Sequence, residues 1–397
     1  MSLLHAVQMA PSDPILGLNE QFAASTNPDK VNLAVGVYYG EDGKIPLLDC
    51  VKAAESKLAA APAPYGYLPI DGLAAYDAAV KELVFGASGD ALDHRRIATI
   101  QGLGGTGALK VGTDFLKTLS PAATVLISDP TWANHRAIFT GGGFDVQTYP
   151  YYDAVARAID FDGMIGAMRQ AAEGTIVVLH ACCHNPTGYD ISPSQWDEVI
   201  SVVSQRQLVP FVDMAYQGFG DGIEADGAVI AKFVRAGVTF LVATSFSKNF
   251  SLYGERVGAL SVVCASSDEA ARVLSQLKVL IRSNYSNPPT HGSKIVATVL
   301  GDPQLRSQWE AELGVMRDRI RAVRQELVTR LAAVGVQMPF IGEQRGMFSY
   351  SGLSRDQMVR LRNEFGVFGT DTGRMCVAAI NAKNIDHVCR AIAAVAS

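Results

Sequence analysis

Six short apolar runs recur through the middle of this 397-residue chain: Ile97–Ile100, Val125–Ser128, Val146–Tyr149, Ile176–His180, Val209–Asp213 and Phe240–Thr244. Helical patterns lie between them. Runs without polar alternation fit strands buried on both faces of a mostly parallel sheet, because crossover helices cover both sides. That confines the chain to α/β architecture, with helices layered on a central sheet. Helices are expected at Leu48–Ala61 and Leu73–Phe85, closed by Pro62 and Gly86. Ser192 with Gln195 reads as a capping box with Pro193 at the first helical position, and Ser354 with Gln357 as a second, opening a helix towards Phe365. From about Pro303 to Arg330 a long amphipathic pattern rich in Arg and Glu gives way to short strands and helices, the texture of a second, α+β domain. The first 45 or so residues are too irregular to fold alone and are expected to pack with it. The expected division is an N-terminal arm and part of the small domain at 1–46, a large domain at 47–312 and a small domain at 313–397.

Composition narrows the partners. A formal net charge of −5 argues against nucleic acid or an anionic membrane. Charged residues are only 18% of the chain, below the usual share of about a quarter, which fits extensive burial that includes a subunit interface. None of Cys50, Cys182, Cys183, Cys264, Cys376 and Cys389 forms C-x-x-C, and the adjacent pair lacks zinc-site spacing. They read as buried free thiols in a reducing compartment, with no metal. The N-terminus lacks a secretory signal, and no apolar stretch approaches the roughly 18 residues of a membrane span. A cytoplasmic protein acting on small molecules is the expectation.

Gly102-Leu-Gly104-Gly105-Thr106-Gly107 has the form G-x-G-x-x-G after a strand and before a helix, with Asp129 closing the next strand 22 residues on. That matches the dinucleotide fingerprint. The physics is more general, since the glycines let backbone amides at a helix N-terminus approach any phosphate. Alone, the string leaves a dinucleotide, another phosphate and a plain turn open.

Thr244-Ser-Phe-Ser-Lys248-Asn-Phe, with Arg256 eight residues later, narrows the choice. A deprotonated lysine amine condenses with an aldehyde, while Ser245, Ser247 and Arg256 offer hydroxyl and guanidinium donors for a phosphate. Asp213 ends another buried strand, and ligands of open α/β sheets bind beyond such ends. A carboxylate there either caps a helix or keeps the nitrogen of a pyridine-type cofactor protonated, with Tyr216 near the ring hydroxyl. Asn185, in His184-Asn185-Pro-Thr-Gly188, and Trp132, in Asp129-Pro-Thr-Trp132, follow two further strand ends. Turn chemistry explains the first string and core packing the second. Four strand ends with ring-compatible groups are harder to explain that way.

Together these strings resemble the class I aminotransferases of the aspartate and tyrosine type along nearly the whole chain. The resemblance runs from Asp13-Pro-Ile-Leu through Asn32-Leu-Ala-Val-Gly36-Val-Tyr, Tyr67-Leu-Pro-Ile-Asp-Gly72 and Asn284-Tyr-Ser-Asn-Pro-Pro289 to Gly373-Arg374. It implies the type I fold of pyridoxal phosphate (PLP) enzymes, with a mostly parallel seven-stranded sheet and a smaller α+β domain, and a homodimer with shared active sites. Carried over, Lys248 holds the cofactor and moves the proton between substrate Cα and cofactor C4′. Asp213, supported by His135, pairs with the ring nitrogen; Asn185 and Tyr216 bond the ring hydroxyl; Trp132 stacks on the ring. Gly105, Thr106, Ser245, Ser247 and Arg256 bind the phosphate, joined by Tyr67 from the partner. Arg374 forks the substrate α-carboxylate, assisted by Gly36 and Asn185, and Arg282 from the partner meets a distal carboxylate.

The implied reaction moves the amino group of aromatic amino acids and aspartate to 2-oxoglutarate by a ping-pong mechanism, with a strict aspartate aminotransferase as the alternative. Tyr39 and Ile45 replace the Lys and Thr of aspartate-restricted relatives and favour aromatic donors, although Gly66, Thr106 and Asn287 do not follow the aromatic type. Two other departures stand out. Gly104 replaces a phosphate-binding Ser, and Asp371-Thr372 precedes Gly373-Arg374 where Ala-Ser is usual, so Asp371 either points away from Arg374 or competes for it. A nicotinamide-dependent oxidoreductase would leave Lys248, Asp213 and Asn185 unexplained. A decarboxylase is disfavoured by Arg374, which would hold the α-carboxylate in the ring plane and leave Cα–H to break.

Overall fold

The computed structural model describes residues 2–64, 66–86 and 90–396. The chain divides into two compact units, one of residues 45–321 with 343–346, the other of the described residues up to 44, 322–342 and from 347 onward. The division at 321/322 falls inside a single 31-residue helix, Pro303–Ala333.

The larger unit is built on a seven-stranded sheet: β1 Ile97–Leu103, β2 Thr124–Asp129, β3 Asp145–Pro150, β4 Ile176–His180, β5 Val209–Met214, β6 Phe240–Ser245 and β7 Val257–Val263. Their spatial order is β1-β7-β6-β5-β4-β2-β3. All six runs expected from the sequence are strands of this sheet. The pairs from β3 across to β6 are parallel, and β7 runs antiparallel to both its neighbours.

The six runs did not include β7, whose apolar pattern is broken by Gly258 and Ser261. Both breaks have packing reasons. A Cβ at Gly258 would lie 2.4 Å from the carbonyl carbon of Gly104, and Ser261 Oγ shares a 2.8 Å hydrogen bond with Thr99 Oγ1 of β1. The helix Gly104–Leu119 lays Ala108, Leu109, Val111, Phe115 and Leu116 onto the sheet, in a core with Ile100, Phe211 and Leu260. Gly112 lets it come close: a methyl there would sit 2.4 Å from Phe211 Cζ.

The expected helix near Leu48 spans Asp49–Ala60, and that near Leu73 spans Ala74–Phe85. The capping box at Ser192 is formed, with both reciprocal bonds present. All six cysteines are buried, and none is in a disulfide among the described residues. Among the described residues no helix is long and apolar enough to cross a membrane.

In the smaller unit, Val31–Asn32 pairs in parallel with Val367–Phe368, and Phe348–Tyr350 pairs antiparallel with Arg374–Cys376. The helix Arg355–Phe365 opens on the Ser354 capping box and ends at Gly366, whose φ of 69° is left-handed.

Helix propensity and packing make opposite demands on two helical glycines. Gly112→Ala gains about 1 kcal/mol of propensity but overpacks against Phe211, at about 1–3 kcal/mol. Gly166, in the helix Phe161–Gln170, has nothing within 4 Å of an added Cβ. Gly166→Ala should therefore raise the thermal unfolding midpoint and Gly112→Ala lower it. A Gly112→Ala midpoint at or above the parent would refute the close-approach account.

Candidate active site

Because β1, β2, β4, β5 and β6 share one direction, their carboxyl ends lie along one edge of the sheet, where such folds bind ligands. Each end delivers a group. β2 leads to Trp132, β4 ends at His180 before Asn185, β5 carries Asp213 before Tyr216, and β6 runs through Ser245 into Ser247 and Lys248. β1 turns into the helix at Gly104. β7, running the other way, starts at this edge just after Arg256, with Val257 opposite Leu103 and Gly258 opposite Ser245.

At the centre is a buried ion network. Asp213 Oδ2 lies 3.0 Å from His135 Nε2, with the side chains 7% and 0% exposed. Burial pushes the Asp213 carboxyl up, but the His135 hydrogen bond, with Lys248 nearby, brings it below the ordinary carboxylate range. An ionised carboxylate only accepts, so His135 Nε2 carries the donated proton. His135 Nδ1 is 2.8 Å from Thr131 Oγ1, and the Trp132 ring meets His135 edge-on at 5.3 Å between centroids. His180 stands opposite Asp213 in the sheet register, its ring 5.0 Å from that of His135. Burial first, then His135, pushes His180 down to about 3, so its imidazole is neutral at physiological pH. Both of its ring nitrogens are buried without a hydrogen-bond partner among the described residues. Sequence reasoning quoted His180 but assigned it no task. Its place at the end of β4, level with Asp213, was the available signal.

Lys248 is half-buried, with Nζ 5.1 Å from the centroid of the Tyr216 ring. The Tyr216 hydroxyl is 3.5 Å from Asn185 Nδ2. Asn249, the residue after Lys248, is anchored twice: its Nδ2 donates to Gln217 O at 3.3 Å, and its carbonyl accepts from Trp309 Nε1 at 2.8 Å.

Next to it is a cradle of donors. Arg256 Nη1 donates to Ser247 Oγ at 3.4 Å, and Gly104 N donates to Arg256 O at 2.9 Å. Gly104 has a φ of +68°, and a Cβ there would lie 2.6 Å from Arg256 Nη2, so the guanidinium occupies the space a serine side chain would need. A Cβ on Gly105 would lie 3.2 Å from that of Ser245. No side chain caps this helix, and the first-turn amides of Gly105 and Thr106 have no partner within it. Amides, hydroxyls and a guanidinium converge as an anion site.

Two residues of the sequence-derived site, Gly36 and Arg374, belong to the smaller unit. Arg374 is 4% exposed and donates through Nη2 to Ala34 O at 2.5 Å. Asp371 does not compete for it: its carboxylate accepts from Arg362 Nη1 at 2.9 Å and faces Arg355 Nε at 3.5 Å. Tyr67 and Arg282, assigned to a neighbouring subunit's site, stand exposed on the larger unit, Tyr67 at 94%. Their surroundings adjoin, since Asn287 Nδ2 donates to Leu68 O at 3.2 Å.

The family described as aminotransferase class I and II matches residues 28–392. An aspartate aminotransferase of Pseudomonas aeruginosa is 57% identical over 394 residues, 99% of either chain. The crystal structure of an aromatic-amino-acid aminotransferase from Burkholderia pseudomallei, covalently bound to pyridoxal phosphate, is 60% identical, with a TM-score of 0.97 over the full length of both chains. A psychrophilic aromatic amino acid aminotransferase from Psychrobacter sp. B6, cocrystallised with aspartic acid, is 46% identical, with the same TM-score of 0.97 and the same full coverage. This chain belongs to the class I and II aminotransferases.

Proposed function

We propose that this enzyme is a PLP-dependent aminotransferase for aromatic amino acids and aspartate, with 2-oxoglutarate as acceptor in a ping-pong cycle. The observation that carries the reading is a buried carboxylate, Asp213, kept ionised by His135 on the same sheet edge as Lys248 and a phosphate-sized set of donors. The donor set fits PLP: Gly105, Thr106, Ser245, Ser247 and Arg256 would hold the phosphate, Lys248 the aldehyde carbon, Asn185 and Tyr216 the ring oxygen, and Trp132 a ring face. When bound, PLP supplies an electron sink that stabilises negative charge at the substrate Cα.

The protein's own groups do the rest. Asp213 keeps a proton on the ring nitrogen, because an ionised neighbour favours the protonated form. Lys248 Nζ takes the proton that leaves Cα, as a positioned general base. Arg374, with Gly36 and Asn185 assisting, grips the α-carboxylate by charge-assisted hydrogen bonds. Keeping that carboxylate directs breakage to Cα–H, which favours transamination over decarboxylation, and the engagement of Asp371 with Arg362 supports this use of Arg374.

We further propose a homodimer in which Tyr67 and Arg282 complete the partner's site. Their exposure supports this. So does a groove of about 710 Å³ on the same unit, lined by Leu58, Ala59, Pro62, Leu73 and Ala297. Six buried cysteines without a disulfide among the described residues favour a reducing, cytoplasmic setting.

Dual specificity rests on chemistry at the distal end of the substrate. Arg282 suits a second carboxylate, while exposure at the end of the helix Ser267–Asn284 lets it turn to water when the substrate is aromatic. Tyr39 is half-buried, and burial, followed by Cys376, raises its hydroxyl above the ordinary tyrosine value, so it presents a neutral aromatic surface.

The purified protein should be yellow, with an absorption band that shifts on adding an amino acid. Lys248→Ala should abolish turnover. Asp213→Ala should retain PLP yet lower the chemical step on the order of a hundredfold or more; turnover within a few-fold of the parent would refute the electron-sink role.

Subunit mixing tests the shared site. Lys248→Ala and Arg282→Ala, each weak on aspartate alone, should recover about a quarter of parental activity after equimolar reassortment, since half the dimers are mixed and each has one intact site. An active monomer in sedimentation would rule this out.

Specificity is read from kcat/KM for phenylalanine and aspartate. Arg282→Ala should lose aspartate activity while largely keeping phenylalanine activity. A parental phenylalanine value about a thousandfold below that for aspartate, some 4 kcal/mol, would make the enzyme aspartate-restricted.

A further inference from the structure

We infer that Phe348 is a positioning residue for Arg374, holding its guanidinium in the plane that receives a substrate α-carboxylate. This rests on the aminotransferase reading above and deepens it. The two residues lie in one small antiparallel pair, Phe348–Tyr350 against Arg374–Cys376, with Tyr350 opposite Arg374. Phe348 is two residues from Tyr350 and so shares a face with Arg374 as its diagonal neighbour. The guanidinium carbon sits 4.3 Å from the centroid of the Phe348 ring, well inside the roughly 6 Å over which a cation is drawn to an aromatic face.

The ring itself has little freedom. Its backbone is fixed by Arg324, a 2% exposed side chain that donates to Phe348 O and Ser349 Oγ, and to Ile341 O at 3.4 Å. Its far edge rests on Gly36, where a Cβ would lie 2.6 Å from Cζ. Phe348 is 2% exposed and Arg374 is 4% exposed. A guanidinium this buried loses hydration that an apolar wall cannot replace. The ring face partly replaces it, and together with the bond to Ala34 O fixes the fork in one orientation. Less side-chain ordering is then left for the moment of binding.

The discriminating substrate is an amine without the carboxylate. Half-reactions followed by the absorption change should be compared for phenylalanine and 2-phenylethylamine. Phe348→Leu should raise the phenylalanine concentration for half-maximal rate roughly 2- to 30-fold, the range set by a cation–π contact, with the limiting rate kept within a few-fold. The second-order rate with phenylethylamine should stay at the parental value. An equal loss on both amines, or no loss on either, overturns the inference and leaves Phe348 as core packing. Phe348→Met, whose unbranched and flexible side chain fills irregular space without a ring, decides the same question should the leucine variant not fold. Arg374→Ala serves as the control. If it penalises both amines alike, the α-carboxylate role fails. If it selectively penalises phenylalanine and Phe348→Leu does not, only the positioning role falls.

Discussion

A carboxylate that stays charged inside the protein is the condition on which this site depends. Moving an ionised group out of water is so unfavourable that an unassisted one takes up a proton instead. Asp213 escapes that outcome because His135 bonds it directly and Thr131 fixes the far nitrogen of the same ring. The neutral His180 and His184 fill the surrounding space without adding charge that would need its own partner. His184 is itself held by Ser128 Oγ and Thr187 Oγ1 and stacks on Tyr151 at 3.9 Å. Three strand ends therefore have to arrive in register before the charge at Asp213 becomes tolerable. Fold and electrostatics are here one requirement.

The anion site depends on close approach. Gly258 lets its strand come against the start of the helix, since a Cβ there would lie 2.4 Å from the Gly104 carbonyl carbon, while a Cβ on Gly104 or Gly105 would crowd the Arg256 guanidinium or the Ser245 side chain. At Gly104 no side-chain hydroxyl is present, and the Arg256 guanidinium occupies the space a serine side chain would need. Arg256 itself has a φ of 55°, a left-handed backbone that an L residue adopts only when its surroundings demand it. The anion site is thus built from backbone shape as much as from side-chain type.

Most of this was legible along the chain wherever one residue type had one physical use. The runs inside the sheet became buried strands because crossover helices cover both faces, whereas Val146–Tyr149, expected to be buried as well, lies in the edge strand β3 and is mostly exposed, as its Gln147 and Thr148 allow. The groups at the strand ends fell into place because parallel strands share an edge. The features that escaped are those whose meaning is a distance to something remote in sequence. β7 hid behind Gly258 and Ser261, which look like breaks until Gly104 and Thr99 are seen across the strand gap. Phe348 is one of 16 phenylalanines, and only its diagonal position beside Arg374 sets it apart. Asp371 could not be assigned from its place before Arg374, because its partner Arg362 comes from the preceding helix.

The antiparallel strand also bears on how the molecule is made. β1 has β7 as its neighbour in the sheet, yet β1 ends at Leu103 and β7 begins at Val257. On a ribosome adding about 5–20 residues per second, β1 waits roughly 8 to 30 s for that neighbour. During that interval an apolar strand has open backbone donors and acceptors, the state most inclined to pair with the wrong chain. The helix that follows β1, turning directly at Gly104 and packing its own apolar face, is the local structure available to shield it. The last strand of the sheet to be made is thus the one that follows Arg256, and its insertion joins β1 to β6.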